Sequence, residues 1–519
     1  MNKFFAIIVR AIGVLIITII FQVNLRAQKP LLWNDLEPGP YAVGFKVIYR
    51  HDFSRTWKAR YDFDGQLDIG TRARPIRISV WYPAIKRMGA TSMIFRDYVH
   101  LRTQNASFAE LNELLERREV NLLRRVIRGE AAFNQLLATR VGADLDALPR
   151  RGSFPLVAYS SGLNESWQHA NFVLCEYLAS HGYVVITVPQ LGQNSLKLNL
   201  GINPAALETQ VRDLEFAIGA LHDFSNVDVN RLAAMGHSMG GVAALVLQMR
   251  NTDVGAVIGL DASYGTRSLA STLTQSVYYN PERMSAPLLD LRRPNDERDM
   301  GGVEAFKYAD RFFLEFPGIT HADFTSFPMI ALHFPTDIQG RTAESASRDY
   351  QLVCRYVLNF LDGYLKGDMR ALSFMQSRPE ANTINPEIVR YEFHRATRPA
   401  LTVDYFVSAV LRYGFQKTAQ RFGELDDESL LNNLGYRLLE LQRSEQAIEA
   451  FELNVKKHPR SANAYDSLAE AYWLSGNKAQ AISAYERVLD LLPTDPNLRE
   501  EERNSLKKNA LARLEELRP

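Results

Sequence analysis

From Phe154 onward the chain alternates short apolar runs with amphipathic stretches, and this rhythm restricts the fold more than any other feature. Residues 155–159, 183–188, 231–235, 256–260, 287–291 and 312–316 read as strands. Residues 168–180, 204–222 and 239–250 carry helical periodicity between them, Gly182 ends the first of these, and 347–366 read as a long closing helix. Strands that alternate with helices pair in parallel and are covered on both faces by their crossovers. The expected class is therefore α/β with a central, mostly parallel sheet. Upstream, residues 41–49 and 76–82 are rich in β-branched and aromatic side chains and predict a β-rich start. Residues 92–148 change character. Helical periodicity at 110–116, 120–127 and 131–137, dense in Arg and Glu, predicts a helical insertion.

One motif sits at a junction of this rhythm. Gly236-His237-Ser238-Met239-Gly240 fits G-x-S-x-G between a strand and a small-residue helix. A serine in such a turn is pushed out above the sheet, and the glycines leave room for the tight approach of backbone to backbone. A serine hydroxyl becomes a nucleophile only when a histidine takes its proton and a carboxylate orients that histidine. The order expected in this architecture is Ser, acid, His. Beyond Ser238 the chain holds His321, His333 and His394. His321 follows the strand-like 312–316 across Pro317-Gly318, where a base belongs; the other two lack that context. Two acids compete on the same edge. Asp261 ends the strand 256–260, and Asp296 follows 287–291, with Asp290 and Asp299 nearby. An oxyanion hole needs two backbone N–H groups. The expected donors are Met239, next to the nucleophile, and Leu163, in the loop Ser160-Ser161-Gly162-Leu163-Asn164. His237 and Asp323 read as structural, His181 as a helix cap, and Trp167 as a candidate for the acyl pocket. No cofactor or metal is called for, and no His/Cys/Asp/Glu group has metal-ligand spacing.

These stretches, with Leu178–Tyr183 and His321–Thr325, resemble the plasma-type (isoform II) platelet-activating factor acetylhydrolases, over about Gly39 to His321. The resemblance implies an α/β-hydrolase fold and a triad of Ser238, Asp261 and His321, which selects Asp261 over Asp296. It also implies Leu163 and Met239 as oxyanion donors and a short-acyl or phospholipid sn-2 ester as substrate. The chain departs from that pattern with Ser160-Ser161-Gly162 where Ser-His-Gly is common, with the insertion, and with its C-terminal region. A dienelactone-hydrolase-like or polyester-type esterase is the alternative. A reading of another class is an exported scaffold with an inert hydrolase domain.

The C-terminal region repeats. Leu434 and Leu468, Gly435 and Ala469, Ala447 and Ala481, Phe451 and Tyr485, and Pro459 and Pro493 all stand 34 residues apart. That period with small, aromatic and proline positions is the tetratricopeptide signature of stacked helix hairpins, a surface for a protein partner. Repeats are expected at about 428–461 and 462–495, with a degenerate hairpin at 402–423 and a capping helix at 498–517.

The start of the chain adds a location. Lys3 and Arg10 precede an unbroken apolar run, Ala11–Phe21, and Ala27 supplies a small residue for cleavage. That is the pattern of an export signal, with an uncleaved anchor as the alternative. The expected organisation is a leader at 1–27, an α/β-hydrolase domain at 28–400 and a helical region at 401–519. With 60 basic and 59 acidic residues the net charge is +1, which argues against a nucleic-acid partner but not against a membrane surface. The two cysteines, Cys175 and Cys354, both fall in helical periodicity and read as buried thiols.

Overall fold

The computed structural model describes residues 29–518, apart from 62–63, 68–69, 86–91, 102, 104, 163–167, 194–202, 223, 225, 263, 265–266, 295–299, 337–340, 398–402 and 423–424. The chain divides into two compact units, Met1–Thr397 and Arg398–Pro519.

The first unit is built on an eleven-stranded sheet in the order β11-β10-β9-β8-β7-β5-β6-β2-β1-β4-β3. The strands are β1 Ala42–Thr56, β2 Ala73–Ala84, β3 Ser92–Ile94, β4 Arg140–Leu145, β5 Phe154–Ser160, β6 Val184–Thr187, β7 Val227–His237, β8 Val254–Leu260, β9 Leu288–Arg292, β10 Arg311–Glu315 and β11 Arg390–His394. From β6 to β10 every neighbouring pair is parallel. Antiparallel β11 closes one side, and the antiparallel β1–β2 pair joins β6 on the other. Helices of eight or more residues in this unit are α1 Ala109–Val126, α2 Glu130–Leu137, α3 Phe172–Ser180, α4 Pro204–Ala220, α5 Met239–Arg250, α6 Arg267–Thr274, α7 Ala343–Leu365 and α8 Met369–Gln376.

Why these residues form this sheet follows from burial. Every residue of β5 is buried, because helices cover both faces and an alternating pattern would leave polar groups in the core. Two apolar cores result, one on each side of the sheet. Cys175 and Cys354 are both buried free thiols in one of them. Strand order reverses at β5, with β6 on one side and β7 on the other. Such a reversal opens a crevice at the carboxyl ends of the strands, where ligands bind in open α/β sheets.

The insertion differs in detail from its sequence signature. Its first two helical stretches are one continuous helix, α1, because nothing between Glu116 and Val120 breaks the period. It also contributes two strands, β3 and β4, which extend the sheet beyond β1. These are three and six residues long, too short to show a clear period in the sequence. The core face of α1 carries Leu111, Leu115 and Leu123, but also two buried polar residues, Asn112 and Glu119.

The second unit is all helical: α9 Val403–Tyr413, α10 Phe415–Phe422, α11 Glu428–Glu440, α12 Ser444–Lys457, α13 Ala462–Leu474, α14 Lys478–Leu491 and α15 Glu500–Leu517. Its hairpins start at side-chain caps. Asp427 accepts from Leu430 N (2.9 Å) and Ser461 from Ala464 N (3.0 Å), satisfying donors that a helix start leaves open. Gly435 is required by its partner: a Cβ there would stand 2.3 Å from the Phe451 ring. The unit has its own core, centred on Phe451, Ala469, Ala481 and Tyr485, the repeat positions.

Candidate active site

Ser238 stands between the end of β7 and the start of α5, with φ 55° and ψ −124°. A non-glycine residue rarely holds positive φ, and such strain persists only where the surroundings enforce it. Here they do. A Cβ on Gly236 would meet the Gly240 carbonyl carbon at 2.0 Å, and one on Gly240 would meet the Ser160 oxygen at 2.1 Å. The Ser238 amide donates to Leu260 O (3.1 Å), tying the turn to the end of β8. The serine therefore sits in a strand–turn–helix elbow at the start of α5, and Met239 is the first residue of that helix, where an amide has no carbonyl of its own helix to donate to.

Asp261 follows the last residue of β8 and also has positive φ, 40°. Its amide donates to Leu291 O (2.6 Å), which fixes it against the end of β9. Its side chain is 1% exposed. His321 lies in a 3-10 turn, His321–Phe324, just beyond β10. Its Nδ1 donates to Asp261 Oδ2 at 2.5 Å, and the imidazole is 39% exposed. The turn is held by Asp323, whose Oδ2 accepts from Thr320 N (2.6 Å) and Thr320 Oγ1 (2.8 Å) while Oδ1 accepts from Arg341. The structure thus brings Asp261 and His321 into contact across 60 residues, beside the strand end that carries Ser238.

The remaining candidates fall elsewhere. His333 bonds Asn34 Oδ1 (2.7 Å) and His394 bonds its strand neighbour Glu392 (2.6 Å). Asp290 lies inside β9, buried and paired with Arg292 Nη1 (3.2 Å). His181 caps α3 through its contact with Tyr177 O (2.8 Å). Leu163, Trp167, Asp296 and Asp299 lie outside the described residues.

Three features were not read from the sequence. Arg293 donates twice to Asp261, from its backbone N to Oδ1 (3.2 Å) and from Nε to Oδ2 (2.9 Å). His237 packs its ring against that of His321, centroids 4.6 Å apart, and its Nε2 donates to His321 O (3.0 Å). The loop after β5 is pinned by two amides: Gln190 donates to Ser161 O, and Gln210, from α4, donates to Ser160 Oγ and to Ser161 O (3.2 Å).

A second Ser–His–Glu array lies in the core. Ser79 Oγ is 2.9 Å from His169 Nε2, and Glu119 Oε1 is 3.9 Å from His169 Nδ1. All three residues are at most 1% exposed, so no substrate reaches them. Arg77, 2% exposed, lies beside them and donates to Gln168 Oε1 (2.7 Å) and Asn112 Oδ1 (3.1 Å). Burial pushes His169 well below its usual range, and the Arg77 charge adds to this. Burial likewise pushes Glu119 well up, against the pull of Arg77. This array is structural.

Residues 146–288 match the chlorophyllase family model. The first unit has an α/β-hydrolase-like fold with a mostly parallel central sheet. Over 179 residues the chain is 31% identical to Cutinase 2 of Thermobifida cellulosilytica, covering 32% of this chain and 64% of that protein. Cutinase cut1 of Thermobifida fusca matches at 31% over 179 residues, 53% of its length. The chain thus spans less than two thirds of either relative. A solved ferulic acid esterase from Streptomyces cinnamoneus superposes with TM-score 0.49 at 21% identity, over 68% of this chain and 98% of that one. Residues 416–503 match the bacterial transcriptional activator domain model, in the repeat region.

Proposed function

We propose that this chain is a serine carboxylic ester hydrolase of the polyester or short-acyl kind, working through an acyl-enzyme. The observation that carries the reading is the Asp261–His321 hydrogen bond of 2.5 Å next to a serine held at positive φ in an elbow. In this reading Ser238 Oγ attacks the ester carbonyl and its proton passes to His321 Nε2. Asp261 holds the tautomer that leaves Nε2 free to accept it, and steadies the imidazolium that forms. The carbonyl oxygen, now an anion, takes hydrogen bonds from the N–H groups of Met239 and Leu163. Losing one such donor typically costs about 100- to 1,000-fold in rate. His321 then protonates the leaving alcohol, and water repeats the sequence to release the acid.

Similarity to cutinases supports the polyester-type alternative over the phospholipid sn-2 substrate that the sequence resemblance implied. The helix hairpins of the second unit are proposed to engage a protein partner. The export pattern at residues 1–27 lies outside the described residues, and N-terminal sequencing of the mature protein tests it.

The test is hydrolysis of nitrophenyl esters from acetyl to decanoyl and of an aliphatic polyester, comparing the protein with Ser238→Ala. Losing the nucleophile of such a triad costs up to about a million-fold in kcat. Activity that disappears in the variant, with its circular dichroism unchanged, supports the reading. Equal activity in both proteins overturns it.

A further inference from the structure

Helix α3 begins in an unusual way. Its N-cap residue is Asn171, a type whose side chain ordinarily accepts from an amide of its own first turn, yet Asn171 makes no such bond. The side chain leaves the helix instead. Its Nδ2 donates to Tyr159 OH (3.0 Å) and to Phe324 O (3.1 Å), and its Oδ1 accepts from Tyr350 OH (2.9 Å). A first-turn amide of α3 is served from the other side: Val173 N donates to Ser326 Oγ (3.0 Å), and Ser326 N donates to Ala170 O (2.8 Å). Two segments 153 residues apart thus exchange caps.

The partners matter because of where they lie. Phe324 ends the 3-10 turn that starts at His321. The other end of that turn is fixed by Asp323, which accepts from Thr320 N (2.6 Å). Tyr159 stands one residue before the end of β5, and β5 pairs with β7 in a register that sets Ser160 against Gly236, two residues before Ser238. We infer that Asn171 is a positioning residue for ester hydrolysis: its carboxamide sets the His321 turn against the strand pair that carries Ser238. The inference rests on the hydrolase reading of this site.

The contact specifies a carboxamide. Phe324 O can only accept, so the atom that faces it is the nitrogen, and the oxygen is left for Tyr350. One nitrogen with two hydrogens reaches acceptors on two different elements, and both hydrogens are spent. Asn171, Ser326 and Tyr350 are all buried, so none of them touches substrate. The two bonds through Ser326 hold a residue beyond the turn, whereas Asn171 holds the turn itself. A side chain withheld from its own helix and spent on this link breaks a local rule, and such departures gather where function needs them.

The experiment measures kcat and KM on a nitrophenyl ester for wild type, Asn171→Leu, Asn171→Ser and Tyr350→Phe, beside thermal melts. Competent serines are counted in each protein by titration with a fluorophosphonate. Expected for Asn171→Leu, which nearly keeps volume, is a kcat per titrated serine lower by about 10- to 100-fold with KM within about twofold, since misplacing a reacting group by about 1 Å acts on the chemical step. Asn171→Ser has one hydroxyl hydrogen for two acceptors, is expected to fall between the two, and carries the test if Asn171→Leu does not fold. Tyr350→Phe removes a buried hydrogen bond from the same cluster but leaves the bond to Phe324, and is expected to lower Tm while kcat stays within about threefold. Unchanged kcat per serine in both Asn171 variants overturns the inference. A Tyr350→Phe whose kcat falls as far as theirs overturns it equally, because the cluster then acts through packing alone. A wild type that hydrolyses no ester and takes up no fluorophosphonate removes the hydrolase reading, and this inference with it.

Discussion

At the scale of single residues, the site depends on what is missing as much as on what is present. Gly240 has no Cβ because the Ser160 oxygen occupies its place at 2.1 Å. Overpacking a tight site costs about 1–3 kcal/mol, and a backbone neighbour cannot step aside as a side chain can. Gly240→Ala is therefore expected to lower Tm by several degrees and to reduce esterase activity more than ten-fold. Thermal melts beside ester assays check this, and an unchanged melt with full activity contradicts it. Gln210→Leu probes the opposite wall. It removes the donor to Ser160 Oγ and Ser161 O while nearly keeping volume, and is expected to lower kcat with little change in KM. Ser238 and Asp261 each come right after a strand that the sequence shows, but strand position left Asp261 level with Asp296, and only the family resemblance chose between them; His321 stands further from its strand, across the Pro317-Gly318 turn. Arg293 was not legible. It reaches Asp261 across 32 residues from a segment dense in charge, and nothing in such a segment distinguishes a buried contact from a solvated one.

At the scale of elements, helix α3 shows how buried acid can bind a fold together. Glu176 Oε2 accepts from Trp33 Nε1 (2.7 Å) and Gly142 N (3.0 Å), and Oε1 accepts from Tyr98 OH (2.7 Å). One carboxyl thus joins α3 to the N-terminal segment, to β4 and to the insertion. Burial raises its pKa to about 7 against the opposing pull of those hydrogen bonds. A raised acid binds its proton more tightly in the folded chain than in the unfolded one. Its contribution to stability is therefore whole below the unfolded value of about 4.5, declines as pH rises, and is lost above about 7, a span of about 3 kcal/mol. Glu176→Gln is expected to flatten the fall of Tm between pH 5 and pH 7, which a melting series in that range reads directly. The alternation of strand and helix made the parallel strands readable. The short strands β3 and β4 stayed hidden, since tertiary pairing with β1, not local pattern, makes them strands.

At the scale of the whole molecule, the chain holds two units with separate cores. The helical periodicity of the C-terminal region was readable in the sequence, and in the hairpin of α11 and α12 a small position, Gly435, does lie against an aromatic one, Phe451. A chain ending at Thr397 is expected to stay folded and to keep its ester hydrolysis, and residues 398–519 alone to be helical with a transition of their own. Circular dichroism and calorimetry of the two pieces decide it, and an insoluble, inactive first piece counts against separate folding.

The insertion has a different standing. Arg77 is a buried cation on β2, and α1 supplies both its Asn112 acceptor and the nearby carboxyl of Glu119. A buried guanidinium cannot shed its proton and is strongly destabilising when its acceptors go. Deleting α1 alone would leave that charge with Gln168 as its acceptor, and replacing Arg77 alone would leave Glu119 a buried carboxyl without the cation that favours its ionised form. The segment is therefore entrenched: a lineage or an engineer shortening this protein has to change both sides in one move, and single steps in that direction lead downhill.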